Sequence, residues 1–370
     1  MIFPDLLKLM IHRRASDLFI TAGVPPCIKV DGKVTHVTKQ ALSPEQSRAF
    51  AYGVMTEEQR RQFESSNECN FSIHPQEIGR FRVNIFMQRG SVGMVLRTIE
   101  TKIPKFDELT LPKVLADIAL AKRGMVIFVG ATGCGKTTSL AAMIGYRNEY
   151  SYGHIVTIED PIEYVHAHQN CIITQREVGV DTQTFDVALR NSLRQAPDVI
   201  LIGEIRTRET MDYAVVFAET GHLCLATLHA NNANQALDRM INFFPDDRRA
   251  QLLMDLSLNL KAIISQRLIP LKSGKGRVPA VEVLINSPLV ADLILKGDIP
   301  GIKEIMAKSG EAGMQTFDQS LFNLYEAGLI SYDDALRNAD SQNDIRLRIK
   351  LEGKESRGQQ LGDSMRNITF

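Results

Sequence analysis

The sequence predicts an α/β protein, a parallel sheet with covering helices over residues 113–350, preceded by a smaller α+β domain over residues 1–99. Three observations carry this. The run Val126, Ile127, Phe128, Val129 reads as a buried strand that breaks at once into a glycine loop and then a helix. From Gly124 onward short apolar runs alternate with helical periodicity, as repeated βαβ units do. The first 99 residues instead show period-two alternation broken by turn residues, with two helices between the strands.

The loop GATGCGKT, Gly130 to Thr137, is the pattern G-x-x-x-x-G-K-T in the strand, loop and helix context it requires. Gly130, Ala131, Thr132, Gly133, Cys134, Gly135, Lys136 and Thr137, with Thr138 beside them, form the expected phosphate cradle. Gly133 and Gly135 let successive N–H groups turn inward around a β-phosphate, and the helix opening near Lys136 adds its positive dipole end. Lys136 is expected to reach the β- and γ-phosphates, and the Thr137 hydroxyl to ligate Mg²⁺. The predicted ligands are therefore ATP and Mg²⁺. Cys134 fills a variable slot of the loop with a small side chain.

Composition narrows the class. A chain of 370 residues suggests two or three domains, each able to bury a core. Lys plus Arg and Asp plus Glu both number 43, so nothing favours a nucleic-acid partner or an anionic membrane surface. No stretch approaches the roughly 18 to 20 apolar residues of a transmembrane segment. The start, MIFPDLLKLMIHRRASD, has its basic residues after the apolar ones, the wrong order for a signal peptide, so a cytoplasmic protein is expected. Five scattered cysteines without a C-x-x-C pair fit reduced thiols, and His166, His168 and Cys171 match no zinc spacing.

In the first domain, Leu6, Leu7, Met10 and Ile11 mark an amphipathic helix, Asp31-Gly32 a hairpin turn, and Ser43 and Thr56 two helix starts with capping-box glutamines. In GRFRVNIFMQRGSVGMVLRTI, alternation puts Phe81, Val83 and Ile85 on one face of a hairpin. Arg80, Arg82 and Arg97 fall on the other, where a solvated basic face and an arginine finger are the two readings. Residues 100–112, with two prolines and mixed charge, read as a linker.

Within the second domain, HIVTI is a strand ending in Glu159-Asp160-Pro161-Ile162-Glu163, where one carboxylate can polarise an attacking water. DVILIGE is a strand that delivers Glu204 at its end, the place of a Mg²⁺-holding carboxylate, with Asp198 too early to serve. A helix from Thr207 to Thr220 leads into HLCLATLHA, where His222, Thr227 and His229 near the carboxyl edge of the sheet could sense a γ-phosphate, a core histidine being the other reading and the favoured one for His222 alone. Beyond Asn232 the chain reads as helical through DDRRAQLLMDLSLNLKAIISQRLI, and from Gln266 as a hairpin-like pair, QRLIPLKSGKGRVPAVEVLI, turning at Ser273 to Gly276. Ser287 and Thr316 cap further helices, and residues 351–370 read as a disordered tail.

Together these stations resemble the secretion ATPases of the type II and type IV pilus superfamily, over nearly all of residues 1–350. GATGCGKT is similar to their Walker A, TIEDPIEY to their acidic box, LRQAPDVILIGEIR to an atypical Walker B and TGHLCLATLHANNA to their histidine box. SDLFITAGVPP is similar to the opening of the pilus-retraction group. The resemblance implies a RecA-like ATPase domain behind a PAS-like domain, in a homo-oligomeric ring of hexamer type. It implies Glu163 as the catalytic glutamate, Glu204 at Mg²⁺, His222 and His229 as signature positions, and Arg82 and Arg97 acting at the nucleotide. It further implies a motor for type IV pilus retraction at the inner-membrane base of the pilus machine. The implied partners are the inner-membrane platform protein and a PilT-type ATPase. Where retraction motors of the group carry a motif like A-I-R-N-L-I-R-E, this chain reads SPLVADLILKGD, and Thr207 follows GEIR. With a helix expected over 317–340 and residues past 350, these departures suggest the accessory branch of the group. The alternative is a nucleotide-gated coupling module whose own hydrolysis is secondary.

Overall fold

The computed structural model describes residues 2–30, 32–99 and 102–353. The described residues form two compact units. The first comprises those up to Lys102 with Ile162–Val165 and Glu177–Gln183, and the second Ile103–Pro161, His166–Arg176 and Thr184 onward.

The first unit runs α1 (Phe3–His12), β1 (Asp17–Ile20), β2 (Cys27–Val30), β3 (Lys33–His36), α2 (Pro44–Val54), α3 (Glu57–Ser66), β4 (Glu68–Ile73), β5 (Arg80–Gln88) and β6 (Ser91–Ile99). Its strands form one antiparallel sheet in the order β3-β2-β1-β6-β5-β4. Asp31 of the expected hairpin turn lies outside the described residues. Both helix starts form as their sequences require: the Ser43 and Thr56 hydroxyls accept from the N–H groups of Gln46 and Gln59, whose side chains accept from the cap N–H groups in return. Phe81, Val83 and Ile85 pack inward from β5 against Leu6, Leu7 and Met10 of α1, in the core that strand alternation predicts.

The second unit runs α4 (Val114–Ala119), β7 (Gly124–Val129), α5 (Lys136–Tyr150), β8 (Gly153–Glu159), β9 (Cys171–Glu177), α6 (Phe185–Ser192), β10 (Val199–Ile202), α7 (Arg208–Glu219), β11 (Leu223–Leu228), α8 (Ala233–Asn242) and α9 (Asp246–Asn259). It continues through β12 (Leu260–Pro270), β13 (Arg277–Ile285), α10 (Pro288–Lys296), α11 (Ile299–Lys308), α12 (Phe317–Glu326), α13 (Tyr332–Asn338) and α14 (Gln342–Glu352). The sheet order is β13-β12-β7-β11-β10-β8-β9, with β12, β7, β11, β10 and β8 parallel and β13 antiparallel at one edge. Every residue of β7, β10 and β11 is buried, which explains why they read as unbroken apolar runs.

Four expectations change. LKAIISQRLI is not helical: α9 stops at Asn259, and Leu260, Ala262, Ile263 and Ile264 enter the sheet beside β7, where a strand buries them better than a helix. The segments of β9 and α6 carry secondary structure that their short, polar sequences did not announce. The stretch 317–340 is two helices, broken where Gly328 turns with φ +72°. Of the expected linker, Glu100 and Thr101 lie outside the described residues. Residues 106–109 instead form a 3₁₀ turn whose Phe106 is buried in the second unit's core, 5.3 Å from the Tyr146 ring. At the end of the chain α14 includes Leu351 and Glu352; residues 354–370 of the expected tail lie outside the described residues.

Candidate functional site

Strand β7 ends at Val129, Gly130 opens the loop, and helix α5 begins at Lys136 with Gly135 as a left-handed cap, φ +88°. A Cβ on Gly130 would stand 2.6 Å from the Gln266 carbonyl oxygen, and one on Gly135 would stand 2.7 Å from the Gln266 side-chain nitrogen. Positive φ and this close approach together leave room for glycine alone. Ala131, Thr132 and Gly133 are exposed at the turn of the loop, while Cys134 is buried beneath it. The Lys136 ammonium donates to the carbonyls of Gly130 (2.7 Å) and Ala131 (3.0 Å), so its charge is held over the loop by dipoles rather than cancelled by a carboxylate. Thr137 and Thr138 follow on the first turn of α5, half-buried.

Strand β11 lies between β7 and β10, with Leu228 level with Val129, so His229 comes out beside the start of the loop. Glu204, just past the end of β10, accepts from His229 Nε2 at 3.0 Å and from Arg206 Nε at 2.7 Å. Thr227 Oγ1 donates to the Gly203 carbonyl at 2.5 Å, tying the end of β11 to the turn that presents Glu204. The His229 carbonyl accepts from Arg239 on α8 at 2.8 Å. A cavity of about 350 Å³ opens here, lined by Gly130, Ala131, His229, Ala230, Asn231, Gln235 and Arg239. Lys136, Glu204 and His229 thus share the carboxyl edge of the sheet, where open α/β sheets bind ligands.

His222 does not join them. It sits at the amino end of β11, bonded to Thr220 Oγ1 at 3.0 Å, about 23 Å along the strand from His229 at roughly 3.3 Å per residue. The expectation that one strand brings both histidines to the same edge is corrected on that ground. Asp198 is occupied at the same far edge, accepting from the His154 N–H at 2.8 Å.

The carboxylates after β8 differ in their surroundings. Glu159 is buried and accepts from Thr157 Oγ1 (2.7 Å) and Gln175 Nε2 (3.2 Å), which commits it to structure. Asp160 stands 3.8 Å from Arg206. Glu163 is exposed and belongs to the first unit.

Also in the first unit, the β5/β6 register sets Arg82 opposite Arg97. Arg80 pairs at 3.2 Å with buried Glu177, which also accepts from Ser72 and from the Ile162 N–H. Arg97 pairs at 3.0 Å with Asp17, which is 4% exposed. Arg82 is half-buried and makes no ion pair among the described residues.

The hairpin read over QRLIPLKSGKGRVPAVEVLI is present, paired from Gln266 opposite Val281 to Pro270 opposite Arg277, but sequence reasoning missed what β12 and β13 contribute to the site. Gln266, 2% exposed, accepts from Ser139 Oγ and donates to the Cys134 carbonyl, both at 2.7 Å. Buried Glu282 accepts from Ser265 Oγ at 3.0 Å and from the Ala233 N–H that opens α8 at 2.8 Å; burial raises its pKa above the ordinary carboxylate range. Reading LKAIISQRLI as a helix hid the place of β12 beside β7; the only signal was a polar Ser-Gln pair amid apolar residues.

Among the described residues no group of three or more His, Cys, Asp or Glu side chains could cage a metal ion. The Thr137 hydroxyl and the Glu204 carboxylate are hard oxygen donors, a set that suits Mg²⁺ arriving with phosphates. His168 accepts from the Ile173 N–H at 3.0 Å, and the Cys171 thiol faces the Ser151 carbonyl at 3.4 Å, both structural tasks.

The chain matches the Type II/IV secretion system protein family over residues 3–312. It is 63% identical over 368 residues to the type IV pilus ATPase PilU of Pseudomonas aeruginosa, covering 100% of this chain and 96% of that one. It is 42% identical to the type IV pilus retraction ATPase PilT of the same organism, over 90% of this chain and 97% of that one. Among solved structures, a crystal structure of the pilus retraction motor PilT with bound ADP superposes with a TM-score of 0.87 at 40% identity, covering 93% of this chain and 98% of that one. In sequence and in fold, the chain belongs to the family of type II/IV secretion system proteins, in the group of PilU and PilT.

Proposed function

We propose that this chain hydrolyses ATP to power or assist type IV pilus retraction. In this reading it works in the cytoplasm as a homo-oligomeric ring, hexameric by family resemblance. A PilT-type ATPase and the inner-membrane platform protein of the pilus are its partners. The observation that carries the reading is the meeting of the Lys136 loop with the Glu204 and His229 pair at one sheet edge. Lys136 leaves two carbonyls to meet the β- and γ-phosphates, while the loop N–H groups cradle them. Thr137 and Glu204 would hold Mg²⁺, which when bound supplies positive charge to the phosphate oxygens. His229 and Arg206 fix the Glu204 carboxylate by filling one oxygen each. Glu163 orients the attacking water and takes up its proton, and Arg82 and Arg97 of a neighbouring copy steady the charge on the transferring phosphoryl group. His222 has no part in this chain's own cleft.

A Glu163→Gln substitution tests the assignment of the base: Mg-ATP turnover should fall about 10² to 10⁴-fold with nucleotide binding retained, and parental turnover would remove Glu163 from the role. A second reading, a coupling module gated by nucleotide, is favoured by α10, which exposes Leu289 and Leu295 where the arginine-bearing motif would stand. Pilus retraction scored with Lys136→Ala separates the two, since full retraction with that variant favours coupling.

A further inference from the structure

We propose that Gln266 is the positioning residue of the phosphate-binding loop, acting through the Cys134–Gly135 peptide; the role rests on the ATPase reading above. Strand β12 runs parallel to β7, with Ser265 level with Val129, so Gln266 comes level with Gly130 where the loop begins. Its side chain is 2% exposed, and both ends of the amide are used: Oε1 accepts from Ser139 Oγ on α5, and Nε2 donates to the Cys134 carbonyl. A trans peptide is planar, with its C=O and N–H pointing opposite ways. Holding the Cys134 carbonyl toward β12 therefore aims the Gly135 N–H away from β12, to the side where a phosphate is cradled. The Cys134 carbonyl, which can only accept, fixes which end of the amide faces the loop, and the Ser139 hydroxyl donates to the other end.

The glycines on either side agree with this. The backbone of Gln266 crowds Gly130 and its amide crowds Gly135, so the loop is moulded on this one residue from both ends. Next to it, Ser265 donates to Glu282, which receives the N–H opening α8, the helix after His229. The Ser265-Gln266 pair thus secures the loop on one side and the histidine-bearing segment on the other.

The Gly135 N–H would meet a β-phosphate, which bears similar charge before and during cleavage, so loss of its aim weakens ground and transition states alike. The expected signature is a rise in KM with little change in kcat. The test uses the full chain with Mg²⁺, titrated with a fluorescent ADP and assayed for turnover. Gln266→Met, similar in length but without the amide, should weaken probe binding and raise KM about tenfold, as loss of one buried hydrogen bond does. The expected change in kcat is less than about threefold. Ser139→Ala leaves the Nε2 bond in place and should raise KM by about threefold, a readout that stands if Gln266→Met does not fold. Parental binding and KM in the folded variants, or a fall confined to kcat, would overturn the proposal. If the parent itself fails to bind the probe, the ATPase reading falls first; if the parent binds and the variants bind equally, only the role of Gln266 falls.

Discussion

Lys136 and Arg97 are both cations that a phosphoryl transfer would use, yet the chain holds them by different means. Lys136 rests on two carbonyl dipoles of its own loop and makes no ion pair among the described residues. Arg97 leans on a buried carboxylate, Asp17, and Arg80 on another, Glu177, so their charges are largely answered within their own unit. Arg82 lies between these cases, opposite Arg97 in the ladder and with no ion pair among the described residues. A cation held by dipoles meets a phosphate without breaking an ion pair, whereas a paired one must first leave a carboxylate that is costly to strand. Of the three arginines, Arg82 is thus the most available for chemistry, and Arg80 and Arg97 carry a structural duty as well.

Substitutions sharpen that contrast. Arg82→Ala should cost about 10³-fold in turnover, the lower range for an arginine acting on a transferring phosphoryl group, with the thermal unfolding midpoint unchanged. Unaltered turnover in steady-state assays would remove Arg82 from the site. Arg97→Ala should lose both activity and stability, about 1 to 3 kcal/mol of the latter, because Asp17 stays buried with only the Ser16 hydroxyl. Chemical denaturation checks this, and a variant as stable as the parent would show that Asp17 needs no partner. Asp17→Asn should cost about 1 kcal/mol while leaving turnover at or above the parental level, since it releases Arg97. A fall in turnover would mean that the pair itself positions the arginine.

A last expected effect, read on stability against pH, concerns a base that the second unit keeps neutral. Burial lowers the pKa of His166 from its ordinary 6.5 to about 4. As pH falls below 6.5 the unfolded chain takes up a proton that the folded one refuses, so stability declines between pH 6.5 and about 4. The loss is at most about 3.4 kcal/mol at 1.36 kcal/mol per pKa unit. A His166→Gln chain should lose less stability between pH 7 and pH 5 than the parent. Parallel curves in denaturation across that range would show His166 to be as accessible as a surface histidine.

Much of the site lay open in the sequence because its parts are local. A buried strand, a glycine loop and a helix start specify one another within sixteen residues, and Glu204 and His229 each follow an apolar run that ends at the same edge. The hairpin of Arg82 and Arg97 was legible for the same reason, its alternation and its Arg89-Gly90 turn being adjacent in the chain. What stayed hidden depends on distant neighbours. The run LKAII suits a helix as well as a strand, and only the vacancy beside β7 decides for the strand. With that choice goes Gln266, whose hydrogen-bond partner Cys134 is 132 residues away. His222 was misplaced for a different reason: two histidines close in sequence sit at opposite ends of one extended strand.

The central claim is that a nucleoside triphosphate is cut beside Lys136, and turnover of Mg-ATP by the purified full-length chain tests it most directly. The assay is run alone and with a PilT-type ATPase whose own site is inactivated, with Lys136→Ala alongside. The account predicts steady turnover in the parent, reduced to background in Lys136→Ala at an unchanged unfolding midpoint. Equal turnover in the two proteins, or none in the folded parent under either condition, would contradict it.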